Sequence, residues 1–150
     1  MILNTRHIGI VVKDMDKSQH FWQDVMGFKV AIDFWEEGEY IEKVSGIPGL
    51  RLHMIKLTAP DDSMIELLQY ETHPTPSPEH NEPNDTGIRH IAFTVADVDA
   101  AWRTLKANGC QPLSDPVDDP NGTARVFYAC DPDGNWLEIV QIFAKPEKGT

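Results

Sequence analysis

Cysteine is nearly absent from this chain: 150 residues hold two, Cys110 and Cys130. Their spacing forms no CxxC pair, so neither a disulfide framework nor a cysteine-based zinc site is expected, and both read as reduced, half-buried thiols. Positive charge is also scarce. Thirteen Lys+Arg face 24 Asp+Glu, a net charge of −11, and that balance excludes the basic footprint needed by nucleic acids and anionic membrane surfaces. No apolar run approaches the roughly 20 residues that span a bilayer. The first residues, Met1 to Arg6, do not have the pattern of a secretory leader, so the expected compartment is the cytoplasm. Motifs of the form GxxxxGK[ST], GxGxxG and GxSxG are missing too, which removes phosphate-loop, dinucleotide and serine-hydrolase chemistry. Asp131-Pro132-Asp133-Gly134-Asn135 lacks the alternating carboxylates and final glutamate of a calcium loop and reads as a tight hairpin turn.

What is present is a repeat. Arg6-His7-Ile8-Gly9-Ile10-Val11-Val12 returns as Arg89-His90-Ile91-Ala92-Phe93-Thr94-Val95, and Ile65-Glu66-Leu67-Leu68-Gln69 returns as Leu137-Glu138-Ile139-Val140-Gln141. With 41% hydrophobic residues the chain can bury a core without disulfides. In each copy an apolar, β-branched strand opens at the histidine. An aspartate follows as helix cap, Asp14 or Asp16 in copy one and Asp97 in copy two. Ser18, Phe21, Trp22 and Val25 then share one helical face, as do Val98, Ala101, Trp102 and Leu105, and Gly27 and Gly109 stop the two helices.

Strand character returns at 28–34, 50–57 and 64–70 in copy one, and at 111–112, 124–129 and 136–143 in copy two. Each copy therefore predicts a strand, a helix and three further strands. The expected modules are 1–71 and 88–144, separated by a proline-rich linker over 72–87 and followed by a tail over 145–150. Copy one carries extra length at 35–49, expected as a loop with a helical turn of the kind that shapes a binding mouth.

Glu66 and Glu138 interrupt strands that are otherwise apolar. A desolvated carboxylate is costly unless a cation or hydrogen-bond donor meets it; a strand with one solvent face could also turn its glutamate outward. Recurrence in register decides between these readings. His7 and His90, together with Glu66 and Glu138, occupy equivalent points of two copies, and two imidazoles with two carboxylates suit a divalent cation. If the copies pack with approximate twofold symmetry, the four side chains converge. His20, His73 and His80 are expected at the surface, and His53, on a strand of copy one, is expected not to be a ligand.

The His7-Ile8-Gly9-Ile10-Val11-Val12 strand, the capped helix ending at Gly27 and the run from Asp131 to Glu138 resemble the vicinal oxygen chelate superfamily. That superfamily includes glyoxalase I, methylmalonyl-CoA epimerase, extradiol dioxygenases, fosfomycin-resistance enzymes and bleomycin-resistance proteins. The resemblance implies an α+β fold: two tandem βαβββ modules forming a cup-shaped mixed sheet with helices outside, in a homodimer. Carried over by position, His7, Glu66, His90 and Glu138 match the metal ligands of glyoxalase I, and Glu138, then Glu66, match its catalytic base. The implied cofactor is a divalent ion: Ni, Co, Zn, Mn or Fe.

The implied activity is that of a lyase, isomerase or epimerase that moves a proton next to a chelated carbonyl in a small carbonyl or thioester substrate. The epimerases usually carry glutamine where this chain has Glu66. An Fe(II) extradiol dioxygenase is a competing reading, because Tyr128 precedes Glu138 by ten residues as in that signature. Asp119-Pro120-Asn121 stands where those enzymes carry a histidine. A ligand-binding, resistance-type module without metal is the other alternative.

Overall fold

The repeated grammar of strand, helix and three strands is what the computed structural model holds, over residues 2–78 and 81–143. The chain divides between Ser77 and Pro78 into two units. His80 and the tail from residue 145 fall outside the described residues.

In the first unit, β1 (Ile8–Val11) leads into α1 (Met15–His20), which continues as a π-helical turn over Phe21–Val25. Asp14 caps α1 by accepting a hydrogen bond from the Lys17 backbone N–H at 3.0 Å. Gly27, at φ +82°, turns the chain out of the helix in the left-handed conformation that glycine tolerates best. Then come β2 (Lys29–Glu37), α2 (Glu39–Ser45), β3 (Arg51–Thr58) and β4 (Met64–Tyr70). The sheet order is β1-β4-β3-β2, with β1 parallel to β4 and the other pairs antiparallel.

The second unit repeats this plan with β5 (His90–Thr94), α3 (Val98–Ala107), β6 (Val117–Asp118), β7 (Ala124–Cys130) and β8 (Trp136–Ile142), in the order β5-β8-β7-β6. Asp97 caps α3 through the Ala100 N–H at 2.8 Å. The strand expected at 111–112 is not there. Pro112 has no N–H to donate, the Leu113 N–H alone reaches the Tyr128 carbonyl at 2.9 Å, and ladder pairing resumes at Val117 and Asp118.

Alternation along the strands gives each sheet two different faces. Ile55, Leu57, Ile65 and Leu67 form one face of the first sheet and are buried, as are Met15, Phe21 and Trp22 on the helix that packs against β4. Burying each such side chain is worth roughly 1.5–3 kcal/mol, so this face anchors the unit. The opposite face carries Phe34, Leu52, Met54, Leu68 and Tyr70, which pack with Ile41 of α2. The extra length of copy one therefore supplies a helix laid on the second face. Its left-handed stop at Gly46 has φ +73°.

A second device recurs in both units. The Gln69 side-chain oxygen accepts from the Met15 N–H at 3.1 Å, and that of Gln141 from the Val98 N–H at 3.0 Å. Each glutamine lies three residues beyond a repeat glutamate (66 + 3 and 138 + 3), so its side chain emerges on the helix face while the glutamate emerges on the other.

Candidate metal centre

Glu66 lies directly beyond the apolar cluster on β4, on the face that α2 covers. The residue opposite it on β1 is Gly9, and the residue opposite it on β3 is Lys56. A Cβ at position 9 would come within 3.2 Å of Leu68 Cδ1, so the small residue lets Leu68 pack closely over β1 beside Glu66. His7 stands two residues before Gly9 and points the same way. Its Nε2 is 3.2 Å from Glu66 Oε2, and Lys56 Nζ is 3.3 Å from Glu66 Oε1. Both carboxylate oxygens are thus engaged, in a side chain only 10% exposed. The other ring nitrogen of His7, Nδ1, is buried without a hydrogen-bond partner among the described residues.

The second unit repeats the arrangement with one change. Ala92 stands opposite Glu138 on β5 and Tyr128 stands opposite it on β7. His90 Nε2 is 3.0 Å from Glu138 Oε2, and the Tyr128 hydroxyl donates to the same oxygen at 3.0 Å. The rings of His90 and Tyr128 meet edge to face with centroids 5.4 Å apart. Burial pushes the Tyr128 phenol above its ordinary range, and the nearby carboxylate adds to the shift, so this group stays a donor.

Two adjacent ligands of an octahedral ion, each about 2.1 Å from the metal, lie about 3.0 Å from one another. The two His–Glu distances are close to that spacing, and the donors are the imidazole nitrogens and carboxylate oxygens that divalent ions prefer. The same distances suit an Nε2–H donating to a carboxylate, so each pair is held together before any ion arrives. The pairs fit the implied metal as two half-sites of two donors each. Among the described residues no group of three or more His, Cys, Asp or Glu side chains is placed to hold a metal ion.

The other histidines fall outside these pairs. His53 lies on the opposite face of β3 from Lys56, stacked on Trp35 at 4.4 Å and paired with Asp33 at 2.7 Å. His20 is exposed and pairs with Asp24, and exposed His73 contacts Thr72. A cavity of about 560 Å³ in the second unit is lined by Asp97, Arg125 and Gln141 among others. It opens on the face opposite Glu138, where Arg125 is already paired with Asp99 and Asp118. The turn over Asp131 to Asn135 forms as expected. Asp131 Oδ1 accepts from the backbone N–H groups of Asp133 and Asn135 at 3.0 and 2.8 Å.

Lys56 was not visible as a site residue from composition or motif, yet the repeat marks its place. It precedes Glu66 by ten residues (66 − 56), as Tyr128 precedes Glu138 (138 − 128).

Residues 5–139 match the family described as Glyoxalase/Bleomycin resistance protein/Dioxygenase superfamily. The chain is 31% identical to a lactoylglutathione lyase of Pseudomonas aeruginosa, over 95% of this chain and 85% of that protein. It is 29% identical to a 2-epi-5-epi-valiolone epimerase of an Actinomyces species, over 91% and 78% respectively. A lactoylglutathione lyase of Schizosaccharomyces pombe is 30% identical, and the chain spans about half of that protein's length (48%). Among solved structures, a glyoxalase family protein from Bacillus cereus superposes with a TM-score of 0.88 at 25% identity, covering 96% of this chain and 97% of that one. Duplicated βαβββ units, with a His–Glu pair on the same face of each, and a match over residues 5–139 together place this chain in the Glyoxalase/Bleomycin resistance protein/Dioxygenase superfamily, the vicinal oxygen chelate proteins.

Proposed function

We propose that the protein is a divalent-metal-dependent lyase, isomerase or epimerase whose ion is held by His7, Glu66, His90 and Glu138, with Glu138 as the catalytic base. Relatives named lactoylglutathione lyase and epimerase support the reaction class. When bound, the ion would act as a Lewis acid on the carbonyl next to the carbon that loses its proton.

The observation that carries the choice of base is an asymmetry between the two carboxylates. In Glu66, Lys56 engages one oxygen and His7 the other. In Glu138, His90 and Tyr128 both meet Oε2, which leaves Oε1 without a hydrogen bond or ion pair among the described residues. Glu138 therefore has an oxygen available for a proton. It takes that proton as the C–H bond breaks and the electron pair moves toward the carbonyl, then returns it to the neighbouring carbon or to the same one. Tyr128 fixes the direction in which the free oxygen points.

Replacing Glu138 with glutamine keeps an oxygen for binding and removes the basicity. Glu138→Gln should retain metal while turnover falls by about 10²–10⁴-fold, the usual contribution of a positioned base. Solvent-deuterium exchange into a panel of α-hydroxy carbonyls and thioesters, run beside metal analysis and an oxygen electrode, tests the class. Exchange without oxygen uptake is the expected result. Full exchange in the Glu138→Gln protein would remove Glu138 from the role, and stoichiometric oxygen consumption would favour the dioxygenase reading that Tyr128 and Glu138 also permit.

A further inference from the structure

In both units the repeat glutamate has a cross-strand donor opposite it, ten residues earlier in the chain. In the second unit that donor is a neutral phenol. In the first it is the ammonium of Lys56, with a side chain 18% exposed and Nζ 5.6 Å from the centre of the Phe34 ring. Orienting a carboxylate needs only a hydrogen bond, as Tyr128 demonstrates. The positive charge at Lys56 is balanced by Glu66 in the ion-free protein, and a half-buried ammonium calls for another anion once that carboxylate is given to an ion.

That need follows from a charge count that rests on the metal reading given above. Two neutral imidazoles, two carboxylates and a dication sum to zero. Lys56 adds one positive charge on the same face as Glu66, and once that carboxylate is a ligand its charge is shared with the ion. One positive charge is then left over on a side chain only 18% exposed, where screening is weak. An incoming anionic group restores the balance.

We infer that Lys56 is a substrate-binding residue and that the substrate is a small carbonyl compound bearing one carboxylate next to its chelating oxygens, such as a hydroxy-keto acid, rather than a neutral carbonyl. The surroundings agree with a compact molecule. Beyond Lys56 the same face is closed by a packed apolar cluster of Phe34, Leu52, Met54 and Leu68 with Ile41 of α2, so Lys56 is the cation on that side of Glu66 that an anionic group can meet. In the ion-free protein Lys56 is occupied by Glu66, and the anion site is made available only when the ion engages that glutamate.

The test uses two probes that share a hydroxyl next to a ketone and differ in charge, hydroxypyruvate and dihydroxyacetone. Both are titrated calorimetrically into full-length protein whose Mn(II) content has first been measured. A hydrogen bond to a charged group contributes about 1.5–3 kcal/mol, so the Mn(II)-loaded wild type should bind hydroxypyruvate at least about tenfold more tightly than dihydroxyacetone. The ion-free wild type should show no such preference. Lys56→Arg should keep it, and Lys56→Met should reduce it to within about twofold while still taking up Mn(II). Circular dichroism melts check that both variants are folded, and the comparison of loaded with ion-free wild type stands without them.

A preference that survives Lys56→Met, that is equal with and without Mn(II), or that is missing from the loaded wild type overturns the assignment. Failure of the wild type to take up any divalent ion is a separate result, read before the titration. It removes the metal reading and, with it, the cause that frees Lys56.

Discussion

Glu66 and Glu138 occupy the same place in two copies of one pattern, and only their neighbours make them different. The hydroxyl of Tyr128 holds Glu138 Oε2 at 3.0 Å. Tyr128→Phe deletes that donor and leaves the ring. With about 1.5–3 kcal/mol at stake for a hydrogen bond to a charged acceptor, turnover should fall by about ten- to a hundredfold at unchanged metal content. Unchanged kcat in this variant would show that the phenol does not orient the base. The cysteines give a second prediction at this scale. Burial pushes the Cys130 thiol up from 9.0 to about 11, with Asp131 and Cys110 adding to the rise. The folded protein thus keeps a proton that the unfolded chain gives up first. The contribution is fully present below about pH 9 and is lost as pH rises from about 9 through about 11. Urea midpoints measured at pH 8 and pH 10.5 should show a fall on the alkaline side that is smaller in Cys130→Ala. An identical fall in both proteins would assign the loss to other groups.

Among the elements, the repeated glutamines have the clearest mechanical role. Gln141 reaches from β8 to the first N–H of α3, and Gln69 does the same from β4 to α1. Val98 is fully buried, so Gln141→Leu would leave its N–H without an acceptor. The expected loss is about 1–3 kcal/mol, read as a shift in denaturant midpoint at constant slope, and an unchanged midpoint would mean that water takes the place of the amide. The elements themselves were legible to different degrees. Capping aspartates, stop glycines and the strand of residues 64–70 follow from local rules of periodicity and turn chemistry, and the structure places them there. Other features needed tertiary information. β2 runs on through Trp35, Glu36 and Glu37 because each pairs with a residue of β3, although two acidic residues and a following glycine read locally as a loop. The two-residue β6 could not be anticipated either, since its position is set by where prolines interrupt pairing with β7. The His–Glu pairs were readable because duplication repeats them, whereas Lys56 answers to a tyrosine in the second copy and stood out only when β3 aligned it with Glu66.

For the whole molecule, the decisive fact is that each unit offers only two donors of the expected set. Two His–Glu half-sites lead to different stoichiometries according to whether they serve one ion or two. On the reading proposed above, one ion takes a pair from each kind of unit, whether within a chain or between two copies. Metal analysis of the purified wild type should then give about one ion per chain. His7→Ala and His90→Ala should each abolish most of that binding, and the double variant should be little worse than either alone, because residues that act on one site are not additive. Stability should follow the same logic. An ion at a hundred times its dissociation constant stabilises the folded state by about 2.7 kcal/mol, so chelation should lower the melting temperature of the wild type and leave each single variant unmoved. Two independent sites would give a different pattern: up to two ions per chain, half of them retained in each single variant, and melting shifts that add. That outcome would separate the two units as metal binders and withdraw the four-ligand assignment, because a pair of donors in one unit would then be sufficient.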